Sequence, residues 1–290
     1  MESYRLLLLP LAVLFLGMVI PAHAAVAMPR QNPACFTAAQ WTATFTLAAQ
    51  LPLSERIGLW ADLLAVDSVY KADPLGEGPG AAPDPDPLCD FAHVDCVTYV
   101  EQVYALALSA NRDGFDGLLQ RIRYREGQIN YRWRNHYTVA DWLPANAWCI
   151  SDITEEVGAG HLRSMTKTIS RKTFFAGKGL TQYADIPDEV FTTQYLPRAD
   201  AAAATGKLKT GDLIIFLIST PGIEAGHVGL IRIKGNTAYL QHASLTAKHV
   251  VTVPLESYLK DMPDRFLGFK IARPTGTADV SPAPSNPPQK

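Results

Sequence analysis

The hydrophobic pattern changes period partway along the chain, and that change restricts the fold more than any other feature. Upstream of about residue 125 apolar residues recur three and four apart. Beyond residue 211 they come as short β-type runs at 212–218, 227–233, 238–242 and 250–254, broken by glycine, proline and asparagine. Helices first and closely spaced strands afterwards predict an α+β fold with an antiparallel sheet packed on the earlier helices. Gly235-Asn236, between the second and third runs, is a hairpin signal.

Residues 37–64 read as helix, carrying Trp41, Phe45 and Leu47, then Ile57, Leu59, Trp60, Leu63 and Leu64, split near Pro52. Residues 73–88 hold Pro74, Pro79, Pro83, Pro85 and Pro87, so they predict a loop that delivers the chain to Cys96. After Cys96, Val97, Val100, Val103, Tyr104, Ala107 and Leu108 keep helical spacing, and the pattern breaks near Asn111-Arg112-Asp113-Gly114. Cys96 is therefore expected in the first turn of a helix. A second helix is expected over 115–125, while 128–142 is polar and aromatic with too little periodicity to assign.

Residues 1–24 run from Met1-Glu2-Ser3-Tyr4-Arg5 through an apolar stretch at 6–20 to Ala22-His23-Ala24. A small-x-small close after such a stretch predicts a secretory signal cut near Ala24, hence a periplasmic or secreted protein. Glu2 offsets Arg5, so an uncleaved anchor is the alternative. No other stretch is long and apolar enough to span a bilayer. Residues 275–290, rich in Pro, Ser and Ala, predict a disordered tail. That leaves 25–274 as one domain with a helical N-terminal extension, expected to be monomeric. The 26 basic and 28 acidic residues are scattered without a polybasic stripe, which argues against nucleic acid.

Export implies an oxidising compartment for Cys35, Cys89, Cys96 and Cys149. If Cys96 must remain a thiol, the others form at most one disulfide; Cys89 with Cys149 is expected, and a Cys89–Cys96 redox pair is the rival.

The chemistry centres on His93-Val94-Asp95-Cys96-Val97-Thr98, on Gly226-His227-Val228-Gly229 and on Gln241-His242-Ala243-Ser244. A thiol attacks as its thiolate, and unpaired N–H groups at a helix start favour that charge. His227 is expected to take the thiol proton as base, forming an ion pair. His242 follows after 242 − 227 = 15 residues, so strands paired around Asn236 can put both histidines on one face, with His242 orienting His227. The Cys96 backbone N–H and a donor on the Asp95 side could hold the oxyanion. Each residue also has a plain reading: Cys96 as a small core side chain and either histidine as a satisfied sheet residue. His23, His93, His136, His161 and His249 compete by composition alone. A Cys-His-His zinc site lacks the close-spaced ligand pairs usual for zinc, so no metal and no cofactor is expected.

A resemblance covers roughly residues 85–273. Asp95-Cys96-Val97-Thr98-Tyr99-Val100, Gly211-Asp212-Leu213-Ile214-Ile215-Phe216, Gly226-His227-Val228-Gly229-Leu230 and Leu240-Gln241-His242-Ala243-Ser244 resemble, in order, the motifs of NlpC-type papain-like cell-wall hydrolases. Tyr131-Arg132-Trp133-Arg134-Asn135-His136-Tyr137, Asp141-Trp142 and Pro254-Leu255-Glu256-Ser257-Tyr258-Leu259 are similar to its N-acetylmuramoyl-L-alanine amidase-like branch. Val97-Thr98 departs from the small pair that commonly follows the nucleophile. The resemblance implies a papain-like fold with Cys96 as nucleophile, His227 as base and His242 as orienting residue. The implied substrate is the peptidoglycan stem peptide, cut between muramic acid and L-alanine. Asp95, Arg134, Tyr137, Asp141 and Trp142 are expected to touch that peptide, Arg134 through a carboxylate and Asp95 or Asp141 through an ammonium. Against this, Asp141 can cap a helix, the aromatics can be core, and Asp212 reads as turn chemistry. The alternatives are an endopeptidase cutting between D-glutamate and diaminopimelate, and a non-catalytic wall-binding module.

Overall fold

The structure, a computed structural model, describes residues 30–276. The expected signal segment 1–24 and all of the expected tail beyond Gly276 lie outside the described residues.

Polar caps set the helix starts. Thr37 and Gln40 form a reciprocal capping box that opens α1 (Ala38–Ala48), and Pro52 precedes α2 (Leu53–Ala65), as the expected split near Pro52 requires. The proline-rich segment 73–88 forms no helix or strand and leads to α3 (Cys96–Leu108). α4 (Arg112–Arg123) starts earlier than residue 115, because Asn111 accepts a hydrogen bond from the Gly114 N–H at 2.9 Å and acts as an N-cap. What reads as a break in the sequence is the start of the next helix.

The strands are β1 (Val69–Tyr70), β2 (His93–Val94), β3 (Ile150–Asp152), β4 (Arg163–Ile169), β5 (Glu189–Pro197), β6 (Leu213–Ile218), β7 (Ala225–Lys234), β8 (Thr237–Ser244), β9 (His249–Pro254) and β10 (Phe266–Pro274). β1 and β2 make a small parallel pair. The others form one antiparallel sheet in the order β4-β5-β10-β6-β7-β8-β9, with β3 also paired to β10. The expected runs are thus β6 to β9, joined as neighbours. In the β7–β8 hairpin Lys234 pairs with Thr237, and Gly235 takes the left-handed conformation (φ 58°) that so short a turn demands.

β6 is buried along its whole length, which explains why Leu213-Ile214-Ile215-Phe216-Leu217-Ile218 shows no alternation. Leu213, Ile215 and Leu217 pack in the cluster that contains α2, α3 and α4. Ile214, Phe216 and Ile218 pack on the other face against Leu255 and Leu259 of the short helix Leu255–Asp261. The β4–β5 hairpin and the strands β3 and β10 were not foreseen. β10 reaches β6 from the far end of the chain, and its apolar pattern is interrupted by Lys270, buried against Asp152 at 2.8 Å.

All four cysteines are free, correcting the expected Cys89–Cys149 disulfide. Cys89 Sγ lies 3.5 Å from Gln102 Oε1, whereas Cys149 Sγ lies 3.5 Å from the Asn146 carbonyl; each thiol is engaged beside its own helix or turn.

α3 is buried from Thr98 to Leu108 and carries one charge inward: Glu101 pairs with the equally buried Arg123 of α4 and accepts from Trp142 Nε1 at 3.0 Å. Arg123 also donates to the Leu75 carbonyl at 3.0 Å. Breaking one side of such a pair leaves an uncompensated buried charge, so Arg123→Met is expected to cost about 3–5 kcal/mol in urea unfolding. Pairing it with Glu101→Gln should recover much of that loss; equal losses in the single and double variants would contradict the pairing.

Candidate active site

Asp95 sets the position of Cys96. Its Oδ1 accepts from the N–H groups of Val97 (3.0 Å) and Thr98 (2.8 Å), while Thr98 Oγ1 accepts from the Asp95 N–H at 2.9 Å. This capping box makes Cys96 the first residue of α3, as the spacing predicted. Asp95 Oδ2 accepts from the Asp73 N–H at 3.2 Å, so its carboxylate is occupied by the cap and the preceding loop.

α3 packs against β7 and β8, which bring the histidines. Leu230 pairs with Gln241, and continuing that register puts Gly229 opposite His242, with His227 diagonally beside it on the same face. His227 Nε2 and His242 Nδ1 are 2.7 Å apart, with the rings nearly perpendicular at 85°. Gly229 permits this approach: a Cβ there would lie 2.5 Å from Leu240 Cδ1 and 3.0 Å from His242 Cβ.

The site is desolvated. Burial pushes the Cys96 thiol up to about 12, the Asp95 carboxylate adds to the rise, and the N–H groups of Val228, Cys96 and Val97 pull it back. Burial, then His242, push His227 down to about 3, and burial pushes His242 down to about 4. Both directions favour neutral groups, a thiol at Cys96 and an imidazole at His227, where the sequence suggested an ion pair. Among the described residues no three His, Cys, Asp or Glu side chains are arranged to hold a metal ion.

Three aromatic residues complete the walls and were missed as site residues. Tyr258 lies 5.0 Å from the His242 ring and 6.3 Å from that of His227, and burial first, then a charge on Cys96, raises its pKa. Phe216 stacks on His227 at 6.0 Å. The Tyr70 phenol is raised by burial first, then by charge on Cys96 and Asp95. Tyr258 belongs to a motif already singled out; Tyr70 had no signal, because only the β1–β2 pairing sets it opposite Val94, two residues before Cys96.

The other expected residues are engaged within the chain itself. Arg134 is held by Asp73 (3.1 Å), Glu77 (2.7 Å) and Asp84 (2.7 Å), so its fork is filled by the chain's own carboxylates. Asp141 is buried, pairs with Arg171 at 2.6 Å and accepts from the Tyr137 N–H at 3.3 Å. Trp142 is a core residue on Glu101. Tyr137 lies under the Arg171 guanidinium, 5.4 Å from its ring centre.

Comparison with known proteins supplies a family. Residues 64–268 match the AmiA-like, N-acetylmuramoyl-L-alanine amidase-like family, and the chain belongs to it. An N-acetylmuramoyl-L-alanine amidase from Bacteroides uniformis has a similar structure, with TM-score 0.63 and 29% identity over 77% of this chain and 99% of that one. A protein from Legionella pneumophila shares the fold with TM-score 0.71 and 21% identity, over 81% of this chain and 94% of that one. No functionally curated protein matches the chain.

Two outcomes follow from the burial of these groups. Alkylation of Cys96 by iodoacetamide, read by peptide mass mapping, should rise with pH from 5 through 9; a rate that stays flat down to pH 5 would mean a preformed ion pair. An unfolded histidine takes up its proton near 6.5, whereas His227 does so near 3 and His242 near 4. The unfolded state therefore binds more protons in between, so their stabilisation is complete above about 6.5 and is lost as pH falls toward 4. The urea midpoint should drop between pH 7 and pH 5, and drop less in His227→Gln; an identical drop would contradict the burial of a neutral His227.

Proposed function

We propose, from this membership of the N-acetylmuramoyl-L-alanine amidase-like family, that the protein is an exported cysteine amidase. It has the papain-like arrangement and cuts the amide between N-acetylmuramic acid and L-alanine of the peptidoglycan stem peptide. The observation that carries the reading is the 2.7 Å bond between His227 Nε2 and His242 Nδ1, on two strands against which the helix opened by Cys96 packs.

With His227 Nε2–H as donor to His242 Nδ1, the lone pair of His227 sits on Nδ1, free to accept the thiol proton. Cys96 Sγ attacks the amide carbonyl carbon while its proton passes to His227, so charge appears only as the new bond forms. The oxyanion is met by the Cys96 N–H, the one of the first three N–H groups of α3 that Asp95 leaves free. His227 then returns the proton to the L-alanine nitrogen, the C–N bond breaks, and the stem peptide leaves. Water, deprotonated by His227, hydrolyses the thioester between Cys96 and the muramoyl carboxyl. His242 holds the His227 tautomer throughout, and Phe216 and Tyr258 keep the pair dry.

Soluble muramyl peptides incubated with the reduced protein should release an L-alanine-headed stem peptide, read by mass spectrometry. Cys96→Ala and His227→Ala should abolish release, and His242→Ala should lower kcat by about 10²–10⁴. Cleavage between D-glutamate and diaminopimelate would reassign the bond, and binding to murein without cleavage would leave a wall-binding module.

A further inference from the structure

A second cavity lies apart from the thiol and the histidine pair, between segment 125–142 and the insertion that joins β4 to β5. Arg125, Arg132, Arg134 and Arg171 line it, with Trp133 and Tyr137 among its walls, and Asp141 is its one carboxylate. The acids that neutralise Arg134 do not line this space. Arg171 already neutralises Asp141. Arg125 reaches Asp141 only at 3.4 Å, and among the described residues Arg132 makes no ion pair. Both guanidiniums lie against the Trp133 ring, at 5.7 and 5.6 Å, so an aromatic surface holds two under-used cations at the cavity.

The cavity also presents a fixed acceptor. His136 Nε2 donates to the Tyr131 carbonyl at 2.6 Å, and burial pushes its pKa down to about 3, so the ring is neutral with its lone pair on Nδ1. The backbone beside Arg125 is constrained as well: Glu126, not a glycine, is left-handed with φ 54°. Two hydrogen bonds fasten the cavity wall to the elements of the thiol site. Trp142 Nε1 donates to Glu101 on α3, and the Val139 N–H donates at 2.9 Å to Glu224, immediately before β7.

We propose that this cavity binds the carboxylate-bearing end of the stem peptide, with Arg125 and Arg132 as the anion contacts and His136 Nδ1 accepting from an N–H of the same ligand. The proposal rests on the amidase reading for the identity of the peptide. It moves carboxylate recognition from Arg134, whose charge is spent internally, to the two arginines left without a strong partner. Flat guanidiniums on an aromatic surface suit planar carboxylates bidentately.

The test is calorimetric titration of the wild-type protein with the free tripeptide L-Ala-γ-D-Glu-diaminopimelate, which needs no catalysis. Binding is expected, weakened at least ~10-fold by Arg125→Gln with Arg132→Gln, and by the tripeptide's carboxamide form, as loss of charge-assisted hydrogen bonds implies. Both arginines are exposed, so the variant should keep the wild-type urea midpoint. Equal affinity in wild type and variant, equal affinity for peptide and carboxamide, or inorganic phosphate competing at the peptide's own concentration would each overturn the proposal. Tripeptide binding that depends on these arginines without muropeptide cleavage would sink the amidase reading alone; cleavage without such binding would sink this one alone.

Discussion

Everything at the thiol site depends on the cap that Asp95 places on α3. One carboxylate oxygen satisfies two of the N–H groups that a helix start leaves unpaired, and Thr98 answers for the Asp95 N–H. The helix therefore begins at Cys96 and not a residue to either side. A shift by one position turns a helical side chain by about 100°, so the cap decides which side chain meets β7. The buried Glu101–Arg123 pair then holds α3 against α4, and Trp142 joins the same carboxylate, so the helix is secured from two directions.

The sheet contributes the second half by register. A strand side chain alternates faces, so the hairpin around Gly235 and Asn236 must close with one pairing for His227 and His242 to share a face. Gly229 then lets the two backbones approach where a Cβ would strike Leu240 and crowd His242. That the chain has glycine on both sides of His227-Val228 is explained on each side: a Cβ at Gly226 would lie 2.6 Å from Ile218 Cγ2.

Burial governs the electrostatics of the thiol site, and internal ion pairs those of the arginine-lined cavity. Around Cys96 burial favours neutral partners, and of the first three N–H groups of α3 the cap leaves only that of Cys96 without a carboxylate partner. In the arginine-lined cavity the chain neutralises some cations with its own acids and leaves others against Trp133. The difference separates a guanidinium that builds the protein from one available to a ligand.

Local signals in the sequence determined a good deal by themselves. The helical spacing that follows Cys96, the Pro52 break, the Gly235-Asn236 turn and the four apolar runs each act within a few residues, and each is found as read. So is the meeting of His227 and His242, because a two-residue turn fixes register over a short hairpin. The tertiary structure alone decided the placing of β10 beside β6, the pairing of Tyr70 with Val94, the different partners of Cys89 and Cys149, and the capture of Arg134 by Asp73, Glu77 and Asp84. These join residues far apart in the chain, where neither periodicity nor spacing carries information. Whether an arginine is free or spent depends on which distant carboxylates the fold brings to it.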